Sequence, residues 1–163
     1  MIWTFFYGSW IDLNILREKG LYPEQFEVAK LMGFDIYIEP IANIFPKEGG
    51  IVYGILLGTT REKHQKILTA LIQGTMGPQY LPEAVIVETL DSKLKPALCY
   101  RAPIDERKPS QPEYIDPFVH SAKQWKFPLW YVEHLEKFLN KKNQNFIKNV
   151  PFFNYKIFIQ GRR

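Results

Sequence analysis

The sequence predicts an α+β fold, a small mixed β-barrel with flanking helices, and three observations carry that prediction. Apolar, β-favouring runs open the chain and recur along it, two amphipathic stretches of helical spacing lie among them, and no apolar stretch reaches the roughly 18 residues of a membrane helix. At 163 residues the chain fits one domain spanning 1–163, because a domain of roughly 150 residues buries about 70% of the surface its unfolded chain exposes. The part from about residue 140 onward is set apart as a basic C-terminal extension, with Lys141, Lys142, Lys148, Lys156, Arg162 and Arg163.

The first strand is Ile2-Trp3-Thr4-Phe5-Phe6, which runs directly into Tyr7-Gly8-Ser9-Trp10. A Gly-Ser turn behind a strand points backbone N–H groups at one spot, an arrangement suited to a carboxylate or phosphate. Leu13, Ile15 and Leu16, set among polar residues, make a short helix with Gly20 as its C-cap. Alternation over 26–31 and 33–38 predicts a pair of strands, with Pro40 as a breaker. The loop over 42–46 leads to Lys47-Glu48-Gly49-Gly50, a hairpin-grade turn, and 51–57 is the most apolar strand. Its internal Gly54 implies a bulge or a close backbone approach.

Thr60 caps a helix in which Ile67, Leu68, Leu71 and Ile72 share one face, and Gln73-Gly74 ends it. Two strands over 84–89 and 95–100 are joined through Asp91-Ser92, and the proline-rich stretch 103–117 reads as irregular. Pro128 precedes an amphipathic helix over 129–139, and 155–160 adds a last strand.

Composition excludes several function classes. The net charge of +4 sits mostly near the C-terminus, and no recognisable nucleic-acid-binding pattern accompanies it, so no nucleic-acid partner is expected. His64, His120 and His134 are scattered without metal-ligand spacing, so no metal is expected either. The lone Cys99 cannot form an internal disulfide and, in a strand-like run, reads as a buried apolar thiol. The opening residues lack a basic n-region and a cleavage site, which points to a cytoplasmic protein with no membrane partner; the oligomeric state is open.

Several separated segments resemble one family in the same order. They are Phe6-Tyr7-Gly8-Ser9; Ala42-Asn43-Ile44 followed by Gly49-Gly50 and Val52-Tyr53-Gly54-Ile55; Gly74 with Tyr80 behind a helix; Pro109-Ser110 with Tyr114; and Phe127-Pro128-Leu129 with Tyr131, His134 and Leu135. Together they span about residues 2 to 139 and resemble the γ-glutamylcyclotransferase-like (AIG2-like) family. The resemblance implies a barrel whose pocket holds a γ-glutamyl or other amino-acid-like small molecule. Amides of the Tyr7-Gly8-Ser9 loop would bind its α-carboxylate, with Trp10 and Gly74 beside them. A Glu at the helix end serves the family as base. It takes a proton from the substrate amine, which attacks the γ-carbonyl to give 5-oxoproline and a free amine. Proximity within one molecule supplies much of the rate, so the resemblance implies no cofactor.

The sequence departs from that pattern at two positions. The Glu position is Gln73, whose amide has no useful basicity, and a positioned base is typically worth about 10²- to 10⁴-fold in rate. An Asn of the family is Trp10 here, which reshapes the pocket mouth. Candidate catalytic residues are therefore Gln73 itself, Glu83 as a replacement carboxylate, His120, and Tyr80 and Tyr114, whose phenols, like that of Tyr7, can donate to a carbonyl. Packing is the alternative role for each tyrosine, and a solvated surface position for Glu83 and His120. Three functions stay open: a divergent enzyme of this group, a catalytically silent small-molecule binder, and an interaction module with a vestigial pocket.

Overall fold

The computed structural model describes residues 1–18, 20, 22–23, 25–38, 41–73, 80–102 and 112–139, the side chains of 71–73 and 112 excepted. The elements are β1 (Ile2–Phe6), a 3₁₀ turn (Ser9–Ile11), α1 (Leu13–Glu18), β2 (Gln25–Ile38), β3 (Ala42–Thr59), α2 (Arg61–Gln73), β4 (Leu81–Thr89), β5 (Leu94–Arg101), α3 (Pro112–Gln124) and α4 (Leu129–Glu136). The strands close into a barrel in the order β1-β3-β2-β4-β5. The β1–β5 pairing is parallel and the others antiparallel, which makes the barrel mixed, as the sequence predicts.

Two long strands dominate it, where the sequence pattern suggests shorter pieces. β2 and β3 pair from Gln25↔Gly58 to Ile38↔Ala42, and the register shifts between Met32↔Ile51 and Phe34↔Pro46. Residues 47–50 therefore bulge out opposite Gly33 (φ +79°) instead of reversing the chain. Bulges and turns draw on the same residues, Gly above all, so Lys47-Glu48-Gly49-Gly50 reads as either in the sequence. Similarly, the expected loop over 42–46 is the start of β3, because its amides pair with β2.

The second departure is α3. Pro103 to Pro117 reads as irregular by composition, yet 112–124 is helical with Pro117 inside it. Ile115, Phe118, Val119 and Ala122 are buried, an apolar stripe at helical spacing that outweighs the proline. Trp125, just beyond α3, donates its indole N–H to the Ile11 carbonyl (2.8 Å) and so ties α3 to the 3₁₀ turn.

Other local signals act as the sequence implies. Thr60 Oγ1 accepts the Lys63 N–H (3.3 Å) at the start of α2, and the Gly20 N–H closes α1 onto the Arg17 carbonyl (2.9 Å). Cys99 is fully buried, and burial pushes its thiol well above the usual range. α4, with Pro128 at its entry, packs the buried Tyr131 against Tyr53 (centroids 5.3 Å apart) and sets His134 Nε2 3.0 Å from Asp35 Oδ1. Burial alone would raise the Asp35 carboxyl, but hydrogen bonds from His134, Lys47 and the Ile36 N–H hold it well below the usual carboxylate range. No described helix is long and apolar enough to cross a membrane. Gly74, the 103–111 stretch, the basic extension and the strand expected over 155–160 lie outside the described residues.

Gly54 is where the barrel allows no side chain. A Cβ there would drive into the Phe6 carbonyl oxygen and lie 2.7 Å from the Phe5 ring, so β1 can leave the barrel toward Tyr7 only past a bare backbone. We expect Gly54→Ala to destabilise the protein by about 2–4 kcal/mol, in the range of an overpacked core that cannot relax. Urea unfolding checks it, and a midpoint unchanged from wild type would show that β1 and β3 can separate at no cost.

Candidate functional site

Where β1 leaves the barrel, a cleft opens with about 390 Å³ of unfilled space, its mouth included. It is lined by the Tyr7-Gly8-Ser9-Trp10 loop, by Phe5 and Phe6 of β1, by Ile41 and Ala42 at the start of β3, and by Tyr80, Tyr100 and Tyr114. Seven aromatic residues thus surround the short Gly8-Ser9 run of backbone.

The loop amides are not absorbed by the sheet. Ser9 N–H and Ala42 N–H both point at the Tyr114 phenol oxygen, at 3.4 and 3.1 Å, so two backbone donors, one from the 3₁₀ turn and one from β3, converge on one acceptor. Gly8 makes this possible. A Cβ on it would sit 3.0 Å from Tyr114 Oη and 3.1 Å from Ala42 Cβ, and would wedge the phenol away. The hydroxyls of Tyr7 and Tyr80 are committed elsewhere: Tyr7 donates to the Tyr100 carbonyl (2.6 Å) and Tyr80 to the Ala42 carbonyl (2.9 Å). Burial raises the Tyr7 and Tyr80 phenols well above their ordinary range, so both stay protonated and neither is a base.

No family model and no curated protein matches the sequence, but solved structures match the fold. A γ-glutamyl cyclotransferase superposes with a TM-score of 0.71 at 22% identity, over 91% of this chain and 92% of that one. An uncharacterised protein from Homo sapiens gives 0.73 at 21% identity, over 92% and 93%. A yeast γ-glutamyl cyclotransferase specific to glutathione gives 0.63 at 13% identity, over 86% and 96%. The chain has the γ-glutamylcyclotransferase-like fold.

Within that γ-glutamylcyclotransferase-like fold, the candidate residues separate into two groups. Tyr7, Gly8, Ser9, Trp10, Tyr80 and Tyr114 come together in the cleft although Tyr114 is 105 residues from Ser9. Gln73 is the last residue of α2, its side chain outside the described part, and Gly74 lies outside it altogether. Glu83 and His120 do not line the cleft. The Glu83 carboxylate pairs with Arg101 Nε (2.5 Å), its diagonal neighbour on β5 two residues beyond its direct partner Cys99. His120 is exposed on α3, with Gln124 Nε2 3.0 Å from its ring, one helical turn away. Expecting His120 beside the cleft followed from taking 103–117 as irregular, and the helix corrects it.

Sequence reasoning missed a buried set of polar residues behind the cleft. His64, on the inner face of α2, has Nδ1 3.1 Å from Thr4 Oγ1 and Nε2 3.2 Å from the Tyr100 hydroxyl. A signal was present, since His64 lies three residues before Ile67 and continues the apolar face of α2. Asn43 is the second such residue. Its amide donates to Tyr37 Oη (2.7 Å) and the Ala102 carbonyl (2.9 Å), with its Oδ1 3.4 Å from the Tyr7 hydroxyl.

Burial depresses the His64 pKa, since it disfavours the imidazolium. The unfolded chain, where histidine titrates near its ordinary value of about 6.5, therefore takes up this proton first. The stabilisation is complete above that value and is lost as pH falls through the folded-state pKa. Urea unfolding from about pH 8 down to about pH 5 should show stability declining on the acid side of 6.5. In His64→Gln, which keeps an amide between the two hydroxyls, that part of the decline should be missing. Parallel curves for the two proteins would refute the assignment.

Proposed function

We propose that this chain is a small-molecule-binding member of the γ-glutamylcyclotransferase-like group, and that its cleft takes a γ-glutamyl amine without turning it over by the carboxylate-base route. One observation supports this above the others: among the described residues the cleft presents two convergent N–H donors and several phenols, but no carboxylate and no imidazole. Such a lining can hold and orient a carboxylate by hydrogen bonds. It offers nothing to remove a proton from an amine at neutral pH. The glutathione-specific enzyme from yeast shares the fold at 13% identity, which supports a ligand of the γ-glutamyl class.

The geometry of the loop supports one mode of binding. The ligand α-carboxylate accepts the Tyr114 O–H and draws in the Ser9 N–H, which at 3.4 Å is only loosely held by the phenol. Gln73, at the end of α2, orients the ligand as an amide can, through donor and acceptor together. A second reading, a divergent enzyme, is favoured by one feature. His64 stands behind the cleft, in contact with the hydroxyl of the lining residue Tyr100. A wild-type rate that disappears in His64→Gln would assign the proton transfer to that pair.

The test combines calorimetry with 5-oxoproline release on a panel of γ-glutamyl amines and peptides. Wild type should bind and release no 5-oxoproline above the buffer rate. Gln73→Glu restores a carboxylate where the spacing to Tyr80 calls for one, and turnover should rise by about 10²-fold or more. Gly8→Ala should weaken binding at least about tenfold, roughly 1.4 kcal/mol, by displacing the Tyr114 phenol. Ready turnover by wild type would defeat the silent-binder reading, and no binding by any member of the panel would defeat the ligand class.

A further inference from the structure

We propose that the outer face of β2 and β3 beside α4, together with residues 140–163, forms a peripheral docking surface for an anionic lipid bilayer. The inference is independent of what the cleft holds, since it rests on exposed carbon beside concentrated positive charge.

The carbon comes from β2 and the start of α4. Ala29 and Leu31 turn into the barrel and are buried, so Phe26, Val28, Lys30 and Met32 alternate onto its outside. Phe26 and Met32 are each 49% exposed, and at the rise of a strand they stand about 20 Å apart. Between them Tyr53, the partner of Lys30, meets the ring of Trp130 (centroids 5.9 Å), while Trp125 meets Phe26 (5.6 Å). Trp130 is still 50% exposed, and Leu129 beside it 72%. Four exposed large apolar side chains thus share one side of the barrel, and a patch of that kind marks an interaction site. Tryptophan in particular is favoured where hydrocarbon meets water at a membrane surface.

The charge comes from the sequence that follows α4. This helix lies along the same face, from Tyr131 on Tyr53 (5.3 Å) to His134 on Asp35 (3.0 Å), so residue 140 follows on from that side. The 24 residues of 140–163 hold six Lys and Arg, five aromatic residues and no Asp or Glu. The whole chain carries +4, so residues 1–139 carry a net −2 and all of the positive excess lies in this segment. Each cation near an anionic lipid surface contributes roughly fivefold in affinity. Attachment is firm when such a basic segment is joined to an apolar anchor, and either alone binds weakly. Peripheral attachment needs neither a leader nor a spanning helix, the features on which the expectation of no membrane partner rests. Two other occupants fit less well. A second copy laid on this face would bring its own six cations against these six. A nucleic acid satisfies the cations, but Leu129 and Met32 offer its phosphates nothing.

Sedimentation of the full chain with vesicles tests this, with phosphatidylcholine alone or with one-third phosphatidylserine. The serine-lipid vesicles should bind at least about tenfold more tightly, and added salt should weaken them. Lys141→Gln, Lys142→Gln, Arg162→Gln and Arg163→Gln, combined in the full chain, should remove most of that preference. Leu129→Asp should lower the affinity severalfold; aspartate suits the first turn of a helix, so the fold should hold, which urea unfolding checks. Phosphatidylcholine brominated on its acyl chains, mixed into the serine-lipid vesicles, should quench tryptophan fluorescence, and Trp130→Phe should remove a large part of the quenching. Equal binding to both vesicles, or binding to neither, overturns the proposal. A dimer that Leu129→Asp splits overturns it in favour of a second copy, and tighter binding to polyuridylic acid than to the serine-lipid vesicles overturns it in favour of a nucleic acid. A preference kept by the four-glutamine variant overturns the role of 140–163. Unchanged lipid binding by a folded Leu129→Asp, or quenching unchanged in Trp130→Phe, overturns the role of the apolar face.

Discussion

The open end of the barrel depends on one buried amide. Asn43 lies 3% exposed at the start of β3, and its Nδ2 bonds Tyr37 Oη and the Ala102 carbonyl while its Oδ1 accepts the Ile44 N–H (2.9 Å). A buried amide is tolerable only when its donors and acceptor are all met, and leaving one unmet costs about 1–3 kcal/mol. Meeting them fixes where β5 ends relative to where β3 begins. Tyr7 then has no freedom either, because its proton goes to the carbonyl of Tyr100 in that same β5 end. Ala42, next to Asn43, presents its carbonyl to Tyr80 and its N–H to Tyr114. The cleft wall is thus built from groups whose positions are set by hydrogen bonds behind it.

Charge is sorted by the same barrel. Three of its described ion pairs lie away from the cleft: Lys30 with Glu88 (3.1 Å), Lys95 with Glu27, and Arg101 with Glu83. The first and third join neighbouring strands, and Lys95 on β5 reaches past β4 to Glu27 on β2, so each contributes modestly in partly solvated surroundings. The described cleft lining is left with neutral groups, and burial keeps Tyr7 and Tyr80 neutral across the physiological range. Among the described lining residues, backbone N–H groups are then the main source of positive potential.

The fold was legible in the sequence wherever one local signal dominated. β1, α1, α2, α4 and the β4–β5 hairpin each combine a clear period with a cap or turn residue, as at Thr60, Gly20 and Pro128. Reading failed where two structures ask for the same residues. Lys47-Glu48-Gly49-Gly50 serves a bulge as well as it serves a turn, and only the pairing partner opposite, Gly33, decides between them. In α3 the prolines outweighed the Ile115, Phe118, Val119 and Ala122 stripe, although burial of that stripe determines the helix. At the site, Tyr7, Gly8, Ser9, Trp10, Tyr80 and Tyr114 were found through short motifs. The Thr4–His64–Tyr100 set was not, because its members come from three elements and no local pattern relates a β1 threonine to the end of β5.

These dependencies explain how the architecture can persist with Gln at position 73. Gly8, Asn43 and Gly54 each serve the barrel and the cleft at once: removing any of them disturbs strand exit, strand ends or loop placement before it touches a ligand. Gln73 is different, for it terminates α2, a position at which Glu and Gln have nearly the same helix propensity. The residue at position 73 is therefore one the fold can exchange cheaply, while the Tyr7-Gly8-Ser9 loop is among the costliest to lose. The proposed silent binder would need only the second, and this sequence keeps Gly8 while carrying Gln at position 73. Fold alone does not fix function; here the separation lies between residues that position backbone donors and the single side chain that would move a proton.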